Sequence, residues 1–426
     1  MIRKGELLVD DSASGVGASG VGASGAAKGV AQRAIPRSAG IVGAALGVVA
    51  AGTAVGIAVE RYTIGRAVRR MAQIHDPGEA YGTLRGAPQT VMAADGVELY
   101  VEVDDPFGWP RSVDWRRAGR GGRSPAAGAA RGSRDARSTA GGREQRPTLL
   151  FTHGFCLPQD CWHYQRAEFS GEYRMVFWDQ RGHGRSDRLR PDGELSIDVL
   201  GEDLYAVIEA TCPTGPIILF GHSMGGMTMM ALAAAHPELF GDRVAGAALM
   251  STSAGEFKQL EFGLPHAAAK VFHRTAPGLF ELLTRQRALV ERGRRVGGDL
   301  GLVLTRRYAF GSDAPESAVR FVQELIESTP IDVIARYFTV FREHDKAEAL
   351  PVFDRVPSLV LAADKDLMLP LAHSRALADA IPSAEFVTVK DAGHVVMLEH
   401  PHEVNTALRR LVDRVEARLD ESSNAS

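Results

Sequence analysis

The pentapeptide Gly221-His222-Ser223-Met224-Gly225 sets a serine between two glycines. An apolar run, Pro216-Ile217-Ile218-Leu219-Phe220, precedes it. A helix-like stretch from Gly226 to His236, closed by Pro237, follows. Strand, tight turn and helix in that order hold a serine hydroxyl clear of a sheet, where it can attack a carbonyl. The flanking glycines lack Cβ and leave room for the strained backbone this turn needs. No second G-x-S-x-G occurs in the chain. A serine is a weak nucleophile until a base takes its proton, and the base needs an acid to orient it. Downstream, the loop Ala363-Asp364-Lys365-Asp366-Leu367-Met368-Leu369-Pro370 supplies two acids, and Asp391-Ala392-Gly393-His394 supplies a base. Each follows a strand-like run, Ser358–Ala363 and Glu385–Val389 respectively. Acid and base therefore fall at carboxyl ends of strands, the edge where open α/β sheets place their sites. Asp364 and Asp366 are two residues apart, and either can reach the imidazole.

Acyl chemistry also needs donors for a developing oxyanion. The backbone N–H of Met224, directly after the serine, is one candidate. The second comes from the loop after the apolar run Thr148–Thr152, which reads His153-Gly154-Phe155. Gly154 lets the backbone turn, so the Phe155 N–H can point inward. Both donors act through backbone, which frees their side chains to line a pocket.

Positioning these residues requires a particular scaffold. Strands are expected at Pro88–Ala94 and Val97–Val103, joined at Asp95-Gly96 as a hairpin. Further strands are expected at Thr148–Thr152, Arg174–Asp179, Pro216–Phe220, Val244–Ser251, Ser358–Ala363 and Glu385–Val389. Most are short apolar runs, as in a parallel sheet covered on both faces. Helical stretches at Ile197–Thr211 and Gly225–His236 fit the crossovers. Residues 255–350 break the alternation, with helical stretches at Ala267–Arg274, Pro277–Glu291 and Glu316–Ser328. They read as a helical cap inserted before the acid-bearing strand. Its aromatic residues Phe257, Phe262, Phe272 and Phe280 are candidates for core or for pocket.

Composition excludes several other chemistries. The chain has 426 residues, 45% hydrophobic and 24% charged, with a net charge of −3, so nothing global points to nucleic acid. Its three cysteines, Cys156, Cys161 and Cys212, form neither a disulfide framework nor a zinc ribbon. No H-E-x-x-H, Walker A or G-x-G-x-x-G context occurs, so no metal and no cofactor is expected.

The N-terminal region differs in texture. Residues 1–38 repeat Ser-Gly-Val-Gly-Ala and read as a disordered tail. From Ala39 to Val59 no residue is charged, and the run is long enough to cross a bilayer as a helix. A signal peptide and a helix packed on protein are the rival readings. Arginines 61, 66, 69 and 70 outnumber the cations before the span, which favours a cytoplasmic catalytic part. Residues 60–87 form a linker. A hydrolytic core occupies 88–254, interrupted at 104–147 by a Gly-, Ala-, Ser- and Arg-rich insertion that reads as a solvated loop. The core resumes at 351–416, and 417–426 reads as a second disordered tail.

The ordered motifs resemble the α/β-hydrolase superfamily, in its serine-nucleophile branch with a helical cap. His153-Gly154-Phe155 resembles the family's oxyanion motif. Asp179-Gln180-Arg181-Gly182-His183-Gly184-Arg185-Ser186-Asp187 resembles its D-x-R-G-x-G-x-S signature, in which Arg181 and Asp187 are expected to brace the loop beside the site. Asp391-Ala392-Gly393-His394 with Glu399-His400-Pro401 resembles its histidine region. The family pattern places the acid four residues before a proline of the Pro370 type, which selects Asp366 over Asp364. With its leading apolar span, the chain is also similar to membrane-anchored hydrolases of actinobacteria. The resemblance implies a Ser223–His394–Asp366 triad that cleaves a carboxylic ester or related acyl compound through an acyl-enzyme, and the expected partner is a small apolar acyl substrate. A perhydrolase of haloperoxidase type and an acyltransferase use the same triad. A non-enzymatic membrane binding protein has no need of one.

Because no triad motif depends on the apolar run, deleting residues 1–60 is expected to release a soluble protein that keeps its hydrolytic activity. Fractionation of cells expressing the full chain and the shortened one checks this. Full-length protein wholly in the soluble fraction overturns the anchor.

Overall fold

The computed structural model describes residues 78–106, 146–190, 193–257, 260–261, 263–286 and 298–425. The apolar run 39–59, nearly all of the 104–147 insertion, and Phe262 lie outside the described residues. Among the described residues no helix is long and apolar enough to cross a membrane.

Strands β1 (Ala87–Met92) and β2 (Glu98–Asp104) form the expected antiparallel hairpin. Its turn uses Gly96 at φ +80°, and Ala93 and Val97 are bonded across it. The chain then alternates: β3 (Thr148–Thr152), α1 (His163–Phe169), β4 (Met175–Trp178), α2 (Ile197–Thr211), β5 (Ile217–His222), α3 (Met224–Ala235) and β6 (Val244–Met250). Among the described residues the helices before the next strand are α4 (His266–Arg285), α5 (Gly298–Ala309), α6 (Glu316–Ser328) and α7 (Ile331–Glu343). The last part holds β7 (Ser358–Ala363), α8 (Leu371–Ala380), β8 (Glu385–Val389), α9 (Val396–Glu399) and α10 (Pro401–Ala425).

The strands form one eight-stranded sheet in the order β1-β2-β4-β3-β5-β6-β7-β8. β1, β2 and β4 pair antiparallel, and every other pair is parallel. Alternate side chains feed two cores. Leu149, Phe151, Ile218 and Phe220 enter the one covered by α1 and α10; Leu150, Ile217 and Leu219 enter the one covered by α2 and α3. On the first face the register places Phe151 beside both Phe177 and Phe220. Their rings stack at 4.7 Å on each side, a three-ring ladder across the central strands. Burial on both faces explains why these strands lack an alternating polar pattern.

From β3 the chain moves to β4 on one side, then returns to β5 on the other. The sheet therefore has its topological switch point between β3 and β5, where a crevice opens at the strands' carboxyl ends. His153-Gly154-Phe155 leaves β3 there, and Ser223 leaves β5 there.

Beyond shifts of a residue or two at element ends, two boundaries differ from the sequence expectation. Helix α4 runs unbroken through Pro277, where two separate stretches were expected. A proline removes one donor and crowds one carbonyl, and here the helix continues with Ala276 buried beside it. The terminal residues 417–426 were read as a disordered tail, yet α10 continues through Ala425. Leu419 packs against the first core and so extends the helix's apolar face past Val415.

The D-x-R-G loop after β4 is tied on three sides. The Arg181 guanidinium donates to Asp203 on α2 at 2.6 and 2.7 Å, and to Asp95 in the hairpin turn at 2.8 Å. Its carbonyl accepts from Tyr337 Oη on α7 at 2.8 Å. Asp187 accepts from the Glu98 N–H at 3.1 Å, at the start of β2. Burial raises the Asp203 carboxyl above the usual range against the pull of Arg181. Removing the guanidinium strands that carboxylate in the interior. Arg181→Met is therefore expected to lower the unfolding free energy by about 3–5 kcal/mol. Urea unfolding followed by circular dichroism measures it, and a loss below about 1 kcal/mol would show that the pair is not a brace.

Candidate active site

Ser223 occupies the turn between β5 and α3 with φ 51° and ψ −117°, a conformation disfavoured for a side chain with a Cβ. The strain sits on the serine itself. Gly225 has a different role, because a Cβ there would lie 2.1 Å from the Thr152 carbonyl oxygen. The glycine lets α3 start directly against the end of β3. Four hydrogen bonds hold the turn. The Ser223 N–H donates to the Met250 carbonyl at 2.9 Å. The Ser223 carbonyl accepts from Gly226 N–H at 2.9 Å, Met227 N–H at 3.3 Å and Thr252 Oγ1 at 2.7 Å.

The three residues picked from the sequence meet at this turn. His394 Nε2 lies 3.0 Å from Ser223 Oγ, and His394 Nδ1 lies 2.7 Å from Asp366 Oδ2. A carboxylate only accepts, so Nδ1 carries the proton and Nε2 is left to accept from the serine hydroxyl. The other Asp366 oxygen accepts from the N–H groups of Met368 and Leu369 at 2.8 and 2.9 Å. These bonds fix the carboxylate, which is 5% exposed. Asp364, its sequence rival, is exposed and points its Oδ1 to the Ala392 N–H at 3.3 Å. It bonds to the histidine loop's backbone and not to the ring.

The two expected oxyanion donors also lie beside the serine in the chain and at the switch point. Among the described residues neither the Phe155 N–H nor the Met224 N–H has a hydrogen-bond partner within the protein. Buried backbone donors are rarely left so, and Met224 is fully buried.

A network that sequence reasoning left without roles sets the Phe155 peptide. The Gln180 N–H donates to His153 Nε2 at 2.8 Å, so Nδ1 carries the ring proton and donates to the Gly154 carbonyl at 2.7 Å. The Gly154 carbonyl and the Phe155 N–H share one trans peptide and point oppositely. Turning the carbonyl toward His153 turns the N–H away from it. Gln180 is held in turn: its Nε2 donates to the His153 carbonyl at 2.6 Å, and its Oε1 accepts from Thr228 Oγ1 at 2.7 Å. Burial pushes the His153 imidazole well below its ordinary pKa, with His183 nearby adding to the effect, so the ring stays neutral. The signal available beforehand was Gln180 at the second position of D-x-R-G, which the pattern leaves unspecified.

His222 was likewise passed over. Its Nε2 lies 2.7 Å from the His394 carbonyl, which only accepts, so Nε2 carries the proton. Burial, with the neighbouring His394, lowers its pKa to about 3. The residue before the serine thus steadies the main chain of the histidine loop. Asp179 accepts from the N–H groups of Gln159 and Arg185 at 2.8 and 2.9 Å, and burial still raises its carboxyl to about 7. It closes the D-x-R-G loop beside the site.

An apolar wall faces this centre from the interval between β6 and β7. The Phe155 ring lies 5.1 Å from Phe341 and 5.5 Å from Tyr337, both on α7. Phe257 lies 5.5 Å from Phe341 and 6.0 Å from Phe338. Phe272 and Phe280 on α4 both contact Phe338. Among the described residues no cluster of His, Cys, Asp and Glu is arranged to hold a metal.

The alpha/beta hydrolase fold family matches residues 147–401, a span that includes the serine turn and both partner loops. The chain belongs to that family. It is an enzyme of the alpha/beta hydrolase type. It is 25% identical over 278 residues to 3-oxoadipate enol-lactonase 2 of Acinetobacter baylyi, a match covering 64% of this chain and 91% of that one. Among solved structures it resembles a thermophilic esterase from Thermogutta terrifontis, with TM-score 0.53 and 24% identity over 77% of this chain and 99% of the other. A bromoperoxidase from Bacillus anthracis has the same fold, with TM-score 0.54 and 18% identity over 76% and 99%.

The two acids can be separated by substitution. Asp366→Asn is expected to lower turnover at least about a hundredfold, because the ring loses the acceptor that fixes its tautomer, whereas Asp364→Asn stays within about threefold. Steady-state rates on one ester decide between them, and the reverse ranking would move the role to Asp364.

Proposed function

We propose that the protein is a serine hydrolase that cleaves a carboxylic ester or related acyl compound with an apolar acyl part. One observation carries this reading: the unbroken relay from Ser223 Oγ through His394 to Asp366, at 3.0 and 2.7 Å. In this reading Ser223 Oγ attacks the carbonyl carbon while its proton passes to His394 Nε2. The carbonyl oxygen becomes an oxyanion and takes the free N–H groups of Phe155 and Met224. The imidazolium, stabilised by Asp366, returns the proton to the departing alkoxide, leaving an acyl-enzyme and an alcohol. Water then repeats the sequence, and the products are a carboxylic acid and free Ser223.

The substrate class follows from what lines the approach. The partly exposed Phe155 ring, packed on the buried Phe341 and Tyr337, offers aromatic surface without a charged group, which favours an apolar acyl chain by burial. The kinship with an enol-lactonase supports an ester bond, cyclic or open. No step in the sequence calls for a cofactor.

Two experiments test the assignment together. Ser223→Ala is expected to reduce hydrolysis of p-nitrophenyl esters by several orders of magnitude while the protein stays folded. A fluorophosphonate should label the wild-type protein at Ser223 and leave the variant unlabelled. Hydrolysis within tenfold of wild type would sink the proposal. If peroxide-dependent halogenation in acetate instead far exceeds ester hydrolysis, the same triad serves a perhydrolase.

A further inference from the structure

The loop that carries His394 is held on both sides of the imidazole, and both holds lead to the segment that ends α5. The Val395 N–H donates to the carbonyl of Ala309, the last residue of α5, at 3.0 Å. The Gly393 N–H donates to Glu399 Oε2 at 2.6 Å. That same carboxylate accepts from the Gly311 N–H at 2.9 Å, the Ser312 N–H at 2.5 Å and Ser312 Oγ at 2.6 Å. It meets no Lys or Arg within salt-bridge distance among the described residues. Its accepting capacity is spent on one donor of the histidine loop and three of the α5 segment.

Packing agrees with the bonding. A Cβ on Gly393 would lie 2.5 Å from the Gly311 nitrogen, and a Cβ on Gly311 would lie 2.5 Å from the Ala392 carbonyl carbon. Neither glycine has a positive φ. Their common reason is close approach: the two backbones touch, and Glu399 stitches them together. The triad alone does not require this arrangement. Asp366 and Ser223 reach the imidazole from other loops.

We propose that Glu399 is a positioning residue for His394, holding the histidine loop against the end of α5 so that the imidazole stands at Ser223 only while α5 is docked. The inference rests on the serine-triad reading above and adds to it that the helices between β6 and β7 help to build the base, besides covering the site.

A misplaced imidazole and a merely destabilised protein leave different kinetic marks. A p-nitrophenolate leaving group departs without a proton, whereas an ethoxide needs one from the imidazolium. The ratio of kcat/KM on a p-nitrophenyl ester to that on the ethyl ester of the same acid therefore reports proton delivery. Partial unfolding lowers both values equally and leaves the ratio unchanged. For Glu399→Ala in the full chain, kcat/KM on the ethyl ester is expected to fall about a hundredfold and on the p-nitrophenyl ester about tenfold, with KM little changed. Glu399→Gln keeps the shape but faces an amide against the donors, and is expected to shift the ratio the same way by a smaller factor. Gly311→Ala breaks the contact from the other side, without touching the histidine loop's own residues, and should reproduce the shift. If Glu399→Ala does not fold, Ser312→Ala, which removes one donor, takes its place with a shift of about threefold. An unchanged ratio in the folded variants overturns the proposal. Ser223→Ala run alongside separates the two readings. If it is inactive while the Glu399 variants keep the wild-type ratio, only the positioning role fails. If it remains active, the triad reading fails first and the proposal with it.

Discussion

A single residue in a disfavoured backbone conformation organises this molecule. Ser223 stands at φ 51°, and holding an ordinary residue there costs about 1–3 kcal/mol. Such a turn persists only where its surroundings over-determine it. Here β5 is the central strand, flanked by β3 and β6, and α3 is wedged against the end of β3 with no room for a Cβ at Gly225. The Ser223 main chain is bonded to β6 through Met250 and Thr252. The hydroxyl is thereby presented at the switch point, where the loops after β3, β7 and β8 converge. The strain is local, and the sheet that resists it is the whole core.

How much of this could be read in advance depended on how local each feature is. The serine turn was legible because its glycines and its strand and helix flanks are contiguous. Ile197–Thr211 and Glu316–Ser328 were legible to the residue, since Ser196 caps the one and Pro315 and Thr329 bracket the other. The acid was not legible from spacing alone. Asp364 and Asp366 sit on one loop, and only the fold shows that Asp366 is buried against His394 while Asp364 faces outward; the family pattern supplied the choice. His153, Gln180, Thr228, His222 and Glu399 drew no role because each has at least one partner tens to hundreds of residues away. A histidine that donates to another loop's carbonyl leaves no periodic mark. The same holds for the C-terminus, where Leu419 alone marks an apolar face that prolongs α10.

Three layers of support surround the candidate site, and they differ in kind. Asp366 is fixed by its own loop, through two backbone N–H groups two and three residues on. The Phe155 peptide is fixed by a side-chain network that crosses from β4 to α3 through Gln180 and Thr228. The His394 loop is fixed by main-chain and carboxylate contacts to the α5 segment and by His222. The hydrogen bonds within each layer rigidify the geometry at the low local dielectric of the interior.

The electrostatic consequence concerns the histidines around the site. His183 is pushed down to about 4 and His222 to about 3, in both cases chiefly by burial, and His153 is lowered as well. All three stay neutral near pH 7, so none of them adds a positive charge beside the His394 imidazole. Their linkage has a definite sign. Below their ordinary value of 6.5 the unfolded chain binds protons that the folded one refuses, so their contribution to stability falls as the pH drops from about 6.5 toward 4. Asp179 works in the opposite direction. With its carboxyl raised from 3.8 to about 7, the folded chain binds a proton that the unfolded one has released, which favours folding below 3.8 and is lost as the pH rises through about 7. Burial is the cause in both cases, and it acts on groups of opposite charge type within the same cluster of loops. Over the interval from pH 4 to 7 their slopes oppose each other. The burial that keeps these histidines neutral also raises Asp179, and so moderates the pH dependence the histidines impose alone.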